Sequence, residues 1–224
     1  MHKDDNHSFS RRGFLQYGGL LTGSAILGAS CKKKKRNKYP GDYRVELGEG
    51  DIGISNYVFA MEQLSIQFYD LVLGNPYTGM SAVEHATFTD IRNHEVTHAE
   101  YYKLTLADNI IQEGFKTDFT KIDFTDRASV LEAAKRIEDM TVAAYNGIIF
   151  RYSNTLNMGV VSKIVSVEAR HAACIREMIE PNSFASDDVI DIHGLDKSIY
   201  PEDVVTALQD LAPKGFKTET LPNY

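Results

Sequence analysis

Four glutamates and two histidines sit where helical segments should carry only apolar side chains. Glu62, Glu95, Glu138 and Glu168 each fall in the middle of an otherwise apolar stripe. An ionised carboxylate cannot be buried without a partner, and four converging carboxylates also repel one another. Two divalent cations would remove both penalties. Two of the glutamates are followed three residues later by histidine, as Glu95-Val-Thr-His98 and Glu168-Ala-Arg-His171. Spacing i, i+3 places both side chains on one helix face, so each pair can reach the same ion. The candidate ligand set is therefore Glu62, Glu95, His98, Glu138, Glu168 and His171. One glutamate from each of two helices, with Glu-x-x-His from each of the other two, is a constellation that binds two iron or two manganese ions. Carboxylate and imidazole without thiolate suit iron or manganese better than structural zinc. His94 is expected to point elsewhere on its helix toward solvent, and His85 and His193 have no ligand pattern.

Three tyrosines share an offset. Tyr69, Tyr102 and Tyr145 each lie seven residues after one of these glutamates. Two helical turns carry each ring ~10 Å along the axis on the ligand-bearing stripe. One reading is packing at the end of the core with the hydroxyl near water. The other is a redox or hydrogen-bonding role around the ions.

The elements that hold these residues are legible from period. Val58, Glu62, Ser65, Tyr69 and Val72 form one stripe, and Phe88, Ile91, Glu95, His98 and Tyr102 a second. Leu131, Ala134, Glu138, Thr141, Tyr145 and Ile149 form a third, and Val161, Ile164, Glu168, His171, Ile175 and Met178 a fourth. Each follows the i, i+3, i+4, i+7 pattern of an amphipathic helix. Helices of ~22 residues are ~33 Å long. The link from Gly74 to Ser81 reaches at most ~29 Å, so the first two helices are antiparallel. Ser153 to Gly159 is equally short and pairs the last two. About 17 residues, Ile110 to Asp126, can span ~56 Å and run the bundle's length. The predicted fold is all-α, a four-helix bundle of two antiparallel hairpins joined by a long crossover, which is the ferritin-like arrangement. The spacing of Phe115, Phe119, Ile122 and Phe124 suits an extended crossover lying over the bundle. After Pro181 a polar extension runs to Tyr224, with one short helix starting near Pro201.

Asn56-Tyr57 through Glu62 to Phe68-Tyr69, Glu95-x-x-His98, Glu138 with Ala144-Tyr145, and Glu168-Ala-Arg-His171-Ala172 together resemble the desiccation-related type of ferritin-like domain. The resemblance covers residues 51–180. It implies a single di-iron-type bundle, often exported, and it does not imply a storage cage.

The N-terminus reads as an address. Ser10-Arg11-Arg12-Gly13-Phe14-Leu15-Gln16 resembles a twin-arginine export signal, and a glycine-rich apolar stretch follows to Ser30. Cys31, after Gly28-Ala29-Ser30, resembles a lipoprotein processing site and is the lipidation candidate. Residues 1–30 are read as the signal, 31–50 as a basic tether, 51–180 as the bundle and 181–224 as the extension. Residues 1–38 hold nine Lys/Arg and two Asp/Glu, leaving 15 basic and 29 acidic residues in the remainder. So acidic a body repels phosphate backbones and argues against a nucleic-acid partner. Membrane contact is expected only through the N-terminal anchor, where Lys32–Lys35 and Arg36 suit anionic headgroups. The second cysteine, Cys174, is expected to be a buried thiol.

Together these readings describe an exported, periplasmic or envelope-anchored protein. It holds two iron ions, or two manganese, and its small partners are dioxygen or peroxide. The expected activity is of the oxidase, ferroxidase or peroxide-scavenging kind. The alternatives are a manganese catalase-like enzyme and a non-catalytic metal-binding or structural envelope protein.

Overall fold

The computed structural model describes residues 44–111 and 116–222. The readings on Arg11, Arg12, Cys31 and Phe115 lie outside these residues. Four long helices dominate: α1 (Gly50–Gly74), α2 (Ala82–Leu106), α3 (Arg127–Ile148) and α4 (Thr155–Ile179). Local signals set their starts. At α2 the Ser81 side chain accepts from the Glu84 amide and the Glu84 carboxylate accepts from the Ser81 amide, a reciprocal cap. Asp126 caps α3 and Asn154 caps α4 through backbone amides of their first turns.

Cross-helix pairs give the directions. Asp70 of α1 meets Arg92 of α2, and Glu62 meets His98, so these two helices are antiparallel. His98 of α2 meets Glu168 of α4, and His94 meets His171, so that pair is antiparallel as well. Glu84 and Arg127, at the starts of α2 and α3, form an ion pair at 2.6 Å. Those two helices therefore begin at the same end, and the connection between them returns along the bundle. On that return Phe119 and Phe124 pack their rings against Phe68, with centroids 5.9 and 6.0 Å away.

Three features depart from the sequence reading. The last link is shorter than Ser153–Gly159. A 3₁₀ turn (Ile149–Arg151) follows α3, and α4 already begins at Thr155. The Asp51 carboxylate accepts from the amides of Ser153 and Asn154 and ties this corner to the start of α1.

The residues before α1 are not all tether. Val45–Glu46 (β1) pairs in parallel with Phe216–Lys217 (β2), and Leu47 is fully buried.

The extension is less polar in effect than in composition. Its short helix α5 (Pro201–Ala207) and the residues after it bury Val204, Leu208, Leu211, Ala212 and Phe216. Val204, Leu208, Ala212 and Phe216 line a small cavity with Tyr57 and Met61 of α1. Sheathed on its outer face, α1 is buried almost without interruption from Gly53 to Ser65.

Upstream of α5 the chain lies flat on α3. The Ile199 amide donates to the Ala143 carbonyl at 3.1 Å, and a Cβ on Gly147 would fall 1.9 Å from the Ile199 oxygen. Only glycine admits that approach. The buried Arg176 guanidinium of α4 binds Asp139 and Asp188 together and fastens the start of the extension.

Candidate metal centre

Each long helix delivers one glutamate to the bundle axis, and Glu62, Glu95, Glu138 and Glu168 are all 0% exposed. The two histidines follow them inward: His98 is 9% and His171 5% exposed. The structure brings all six candidate residues together in two overlapping groups. Glu62, Glu95, His98 and Glu168 form one; Glu95, Glu138, Glu168 and His171 form the other. Within each group one ligand atom per residue lies within 4.8 Å of the rest. Glu95 and Glu168 belong to both groups, while Glu62–His98 and Glu138–His171 each serve one.

The orientation of these atoms is informative. His98 Nδ1 lies 2.7 Å from Glu168 Oε1 and 3.3 Å from Glu62 Oε2. His171 Nδ1 lies 2.9 Å from Glu95 Oε1, 3.5 Å from Glu168 Oε2 and 3.8 Å from Glu138 Oε2. None of these approaches has hydrogen-bond geometry, and both nitrogens are buried without a hydrogen-bond partner. The same holds for Glu62 Oε2, Glu138 Oε2 and both oxygens of Glu95 and Glu168. Native proteins leave few buried polar atoms unpaired. Eight lone-pair-bearing atoms converging in this way fit two cations.

The remaining oxygens of Glu62 and Glu138 are occupied. Tyr69 Oη donates to Glu138 Oε1 at 2.6 Å, and Tyr145 Oη donates to Glu62 Oε1. Each outer glutamate thus has one oxygen held by a tyrosine and the other turned to the centre. The tyrosines reach the facing helix because helical side chains lean back toward the N-terminus. None of the three rings tops the core beside water: Tyr69, Tyr102 and Tyr145 are all at most 1% exposed. Tyr102 lies beside Tyr145, and its hydroxyl makes no well-formed hydrogen bond. It also lines a cavity of about 110 Å³ shared with Ser55, Tyr101, Tyr152 and Val161.

Without ions the cluster stores protons. Burial, reinforced by Glu168, Glu62 and Glu138, holds the Glu95 carboxyl well above its ordinary range. Burial also raises Glu138 to about 8 against the pull of His171. Burial would raise Glu168 too, but the close approach of the His171 and His98 rings holds it down at about 2. His98 is pushed the other way. Its burial favours the neutral ring, yet Glu62 and Glu168 raise it to about 10.

Two side chains stand elsewhere than the sequence reading put them. His94 is not directed away to solvent. It is half-buried, with Nδ1 2.9 Å from His171 Nε2 and the two rings within 5° of coplanar. Cys174 is exposed rather than buried, because six residues beyond Glu168 it has rotated off the inward face of α4.

Residues 50–181 match the ferritin-like domain family. The chain belongs to that family. The matched segment of this ferritin-like domain runs from the first residue of α1 to just past α4 and contains all six cluster residues. Residues 1–49, with β1, and residues 182–224, with α5 and β2, lie outside it. No curated protein matches the chain.

Proposed function

We propose that this ferritin-like domain binds two transition-metal ions, iron in preference to manganese, and acts on dioxygen or peroxide as an oxidase, ferroxidase or peroxide scavenger. The supporting observation is the set of eight buried, unpartnered oxygens and nitrogens from four helices that face one another. When bound, the ions supply the electrons that reduce the oxidant. The protein supplies position. Glu95 and Glu168 would serve both ions, and Glu62–His98 and Glu138–His171 would each help to hold one. Tyr145 and Tyr69 hold the outer oxygens of Glu62 and Glu138, which would orient the other oxygen of each toward an ion. The cavity beside Tyr102, about 110 Å³, exceeds the ~10–15 Å³ that one water needs, so it can admit a diatomic oxidant. Tyr102, which lines that cavity, and Tyr145 beside it, which donates to Glu62, are the candidate redox side chains.

The resemblance of residues 10–16 to a twin-arginine signal supports a site of action outside the cytoplasm. In this reading the twin-arginine signal exports the folded, loaded protein, and Cys31 carries the lipid that anchors it to the envelope.

Elemental analysis of the purified protein tests the centre, with about two iron ions per chain expected. The double variant Glu62→Ala, Glu138→Ala should lose both, and unchanged metal content in it would sink the assignment. Anaerobic loading with ferrous iron followed by oxygen then tests catalysis through oxygen consumed per iron.

A further inference from the structure

The centre is built on an internal near-repeat. Glu62 with Tyr69 seven residues on is matched by Glu138 with Tyr145, and Glu95-x-x-His98 by Glu168-x-x-His171. The contacts repeat too, since each of those tyrosines binds the other's glutamate. The repeat breaks just before the shared glutamates. His94 precedes Glu95, and Val167 precedes Glu168. Both side chains are half-buried, but only one can form a hydrogen bond.

We propose that the two ion positions are unequal and that His94 is the positioning residue that makes the Glu138–His171 position the tighter one. The inference rests on the reading of the cluster as a two-ion centre. His171 turns Nδ1 toward three carboxylates, so a neutral, metal-binding ring carries its proton on Nε2. His94 Nδ1 stands in the plane of that ring at 2.9 Å and accepts the proton's hydrogen bond. One contact therefore selects the tautomer, fixes the ring's rotation and raises the basicity of the ligand nitrogen. His98 turns its own Nδ1 to Glu168 and Glu62, but the residue in the matching place is Val167. Nothing on that side chain can lock the His98 ring. The Glu138–His171 position should fill first and empty last, and the Glu62–His98 position should be the exchangeable one.

Anaerobic titration of the metal-free protein with cobalt(II), followed by calorimetry and visible absorption, tests this. The parent protein should take up two ions in two resolved steps. His94→Leu should weaken the first step by about 10- to 100-fold, merge it with the second and leave the total at two. His94→Gln keeps an acceptor oxygen and should restore much of the separation. Val167→His should tighten the weaker step instead. In the zinc-loaded, diamagnetic protein, nitrogen-15 NMR should show a slowly exchanging His171 Nε2 proton that is retained in His94→Gln and lost in His94→Leu. Two equal steps in the parent, or a His94→Leu isotherm identical to it, would overturn the inequality. Fewer than two ions in the parent would instead remove the two-ion reading, and the inequality with it.

Discussion

Tyr69 donates its hydroxyl proton to Glu138 across the bundle at 2.6 Å, while Tyr145, on the same helix as Glu138, donates to Glu62 on the helix of Tyr69. This reciprocal crossing binds α1 to α3 and turns one oxygen of each glutamate away from the centre. Tyr69→Phe or Tyr145→Phe leaves a buried carboxylate oxygen without its donor, at a cost of about 1–3 kcal/mol. Metal affinity should drop by roughly 10-fold or more in each. Tyr102→Phe removes a hydroxyl that has no well-formed bond to lose and should be neutral or slightly stabilising in the metal-free protein. Thermal melts and metal titrations of the three variants check the ordering.

The same tyrosines carry a redox prediction. Rapid freezing of the reduced, iron-loaded protein after mixing with oxygen should trap a tyrosyl radical visible by electron paramagnetic resonance. It should vanish in Tyr145→Phe and persist in Tyr200→Phe, an exposed control. Undiminished oxygen consumption without a radical, at the same rate in all three core variants, would leave these tyrosines with a positioning role alone.

Alkali should unfold the metal-free protein. Glu95, Glu138 (about 8) and His98 (about 10) all titrate higher in the folded state than the ordinary ~4.3 and ~6.5 of the unfolded chain. The native state therefore binds more protons above neutrality. The stability these groups contribute is complete at low pH and is lost as pH rises through their folded values. The melting temperature of the metal-free protein should fall between pH 7 and 10. The loaded protein should be flatter across that range, because ions have replaced the protons and their uptake releases protons. Differential scanning calorimetry with and without metal measures both curves.

Gly147→Ala should peel the extension from α3. The new methyl would occupy the position of the Ile199 carbonyl, and overpacking of this kind costs about 1–3 kcal/mol. Urea denaturation should show the loss, and limited proteolysis should cut within residues 185–199 faster than in the parent.

Export should depend on Arg11 and Arg12. Changing both to Lys is expected to leave the precursor in the cytoplasm, as fractionation and immunoblotting would reveal. Normal export of that variant would refute the twin-arginine reading.

The helices and the six-residue cluster were legible in the sequence because buried ionisable side chains at helical spacing have few physical explanations. Period alone assigned Glu62, Glu95, Glu138 and Glu168 to inward faces. His94 escaped for a related reason. Spacing tells which way a side chain leaves its own helix, but not that a ring on another helix has an outer nitrogen in need of a partner. Cys174 was misjudged from the habits of its residue type, although its offset from the α4 stripe pointed outward. The extension was underread because its apolar residues, Val204, Leu208, Leu211 and Phe216, are spread over a seven-residue helix and irregular chain. No long periodicity marks them. Their burial depends on the face of α1 that they cover, and nothing local to either segment names the other.

The pairing of Val45 with Phe216 also bears on the order in which the molecule is made. The four long helices meet through contacts available once Ile179 has been synthesised. The two-strand closure spans 171 residues and must wait until Phe216 has left the ribosome. Closing so long a loop carries a large entropic cost, which is offset only after the bundle has brought the two ends of the path together. The α5 sheath is therefore a late step laid over a nearly finished bundle. Until then the apolar outer face of α1 around Tyr57 and Met61 is open to water, the interval in which the nascent chain is most exposed to aggregation or to capture by a chaperone.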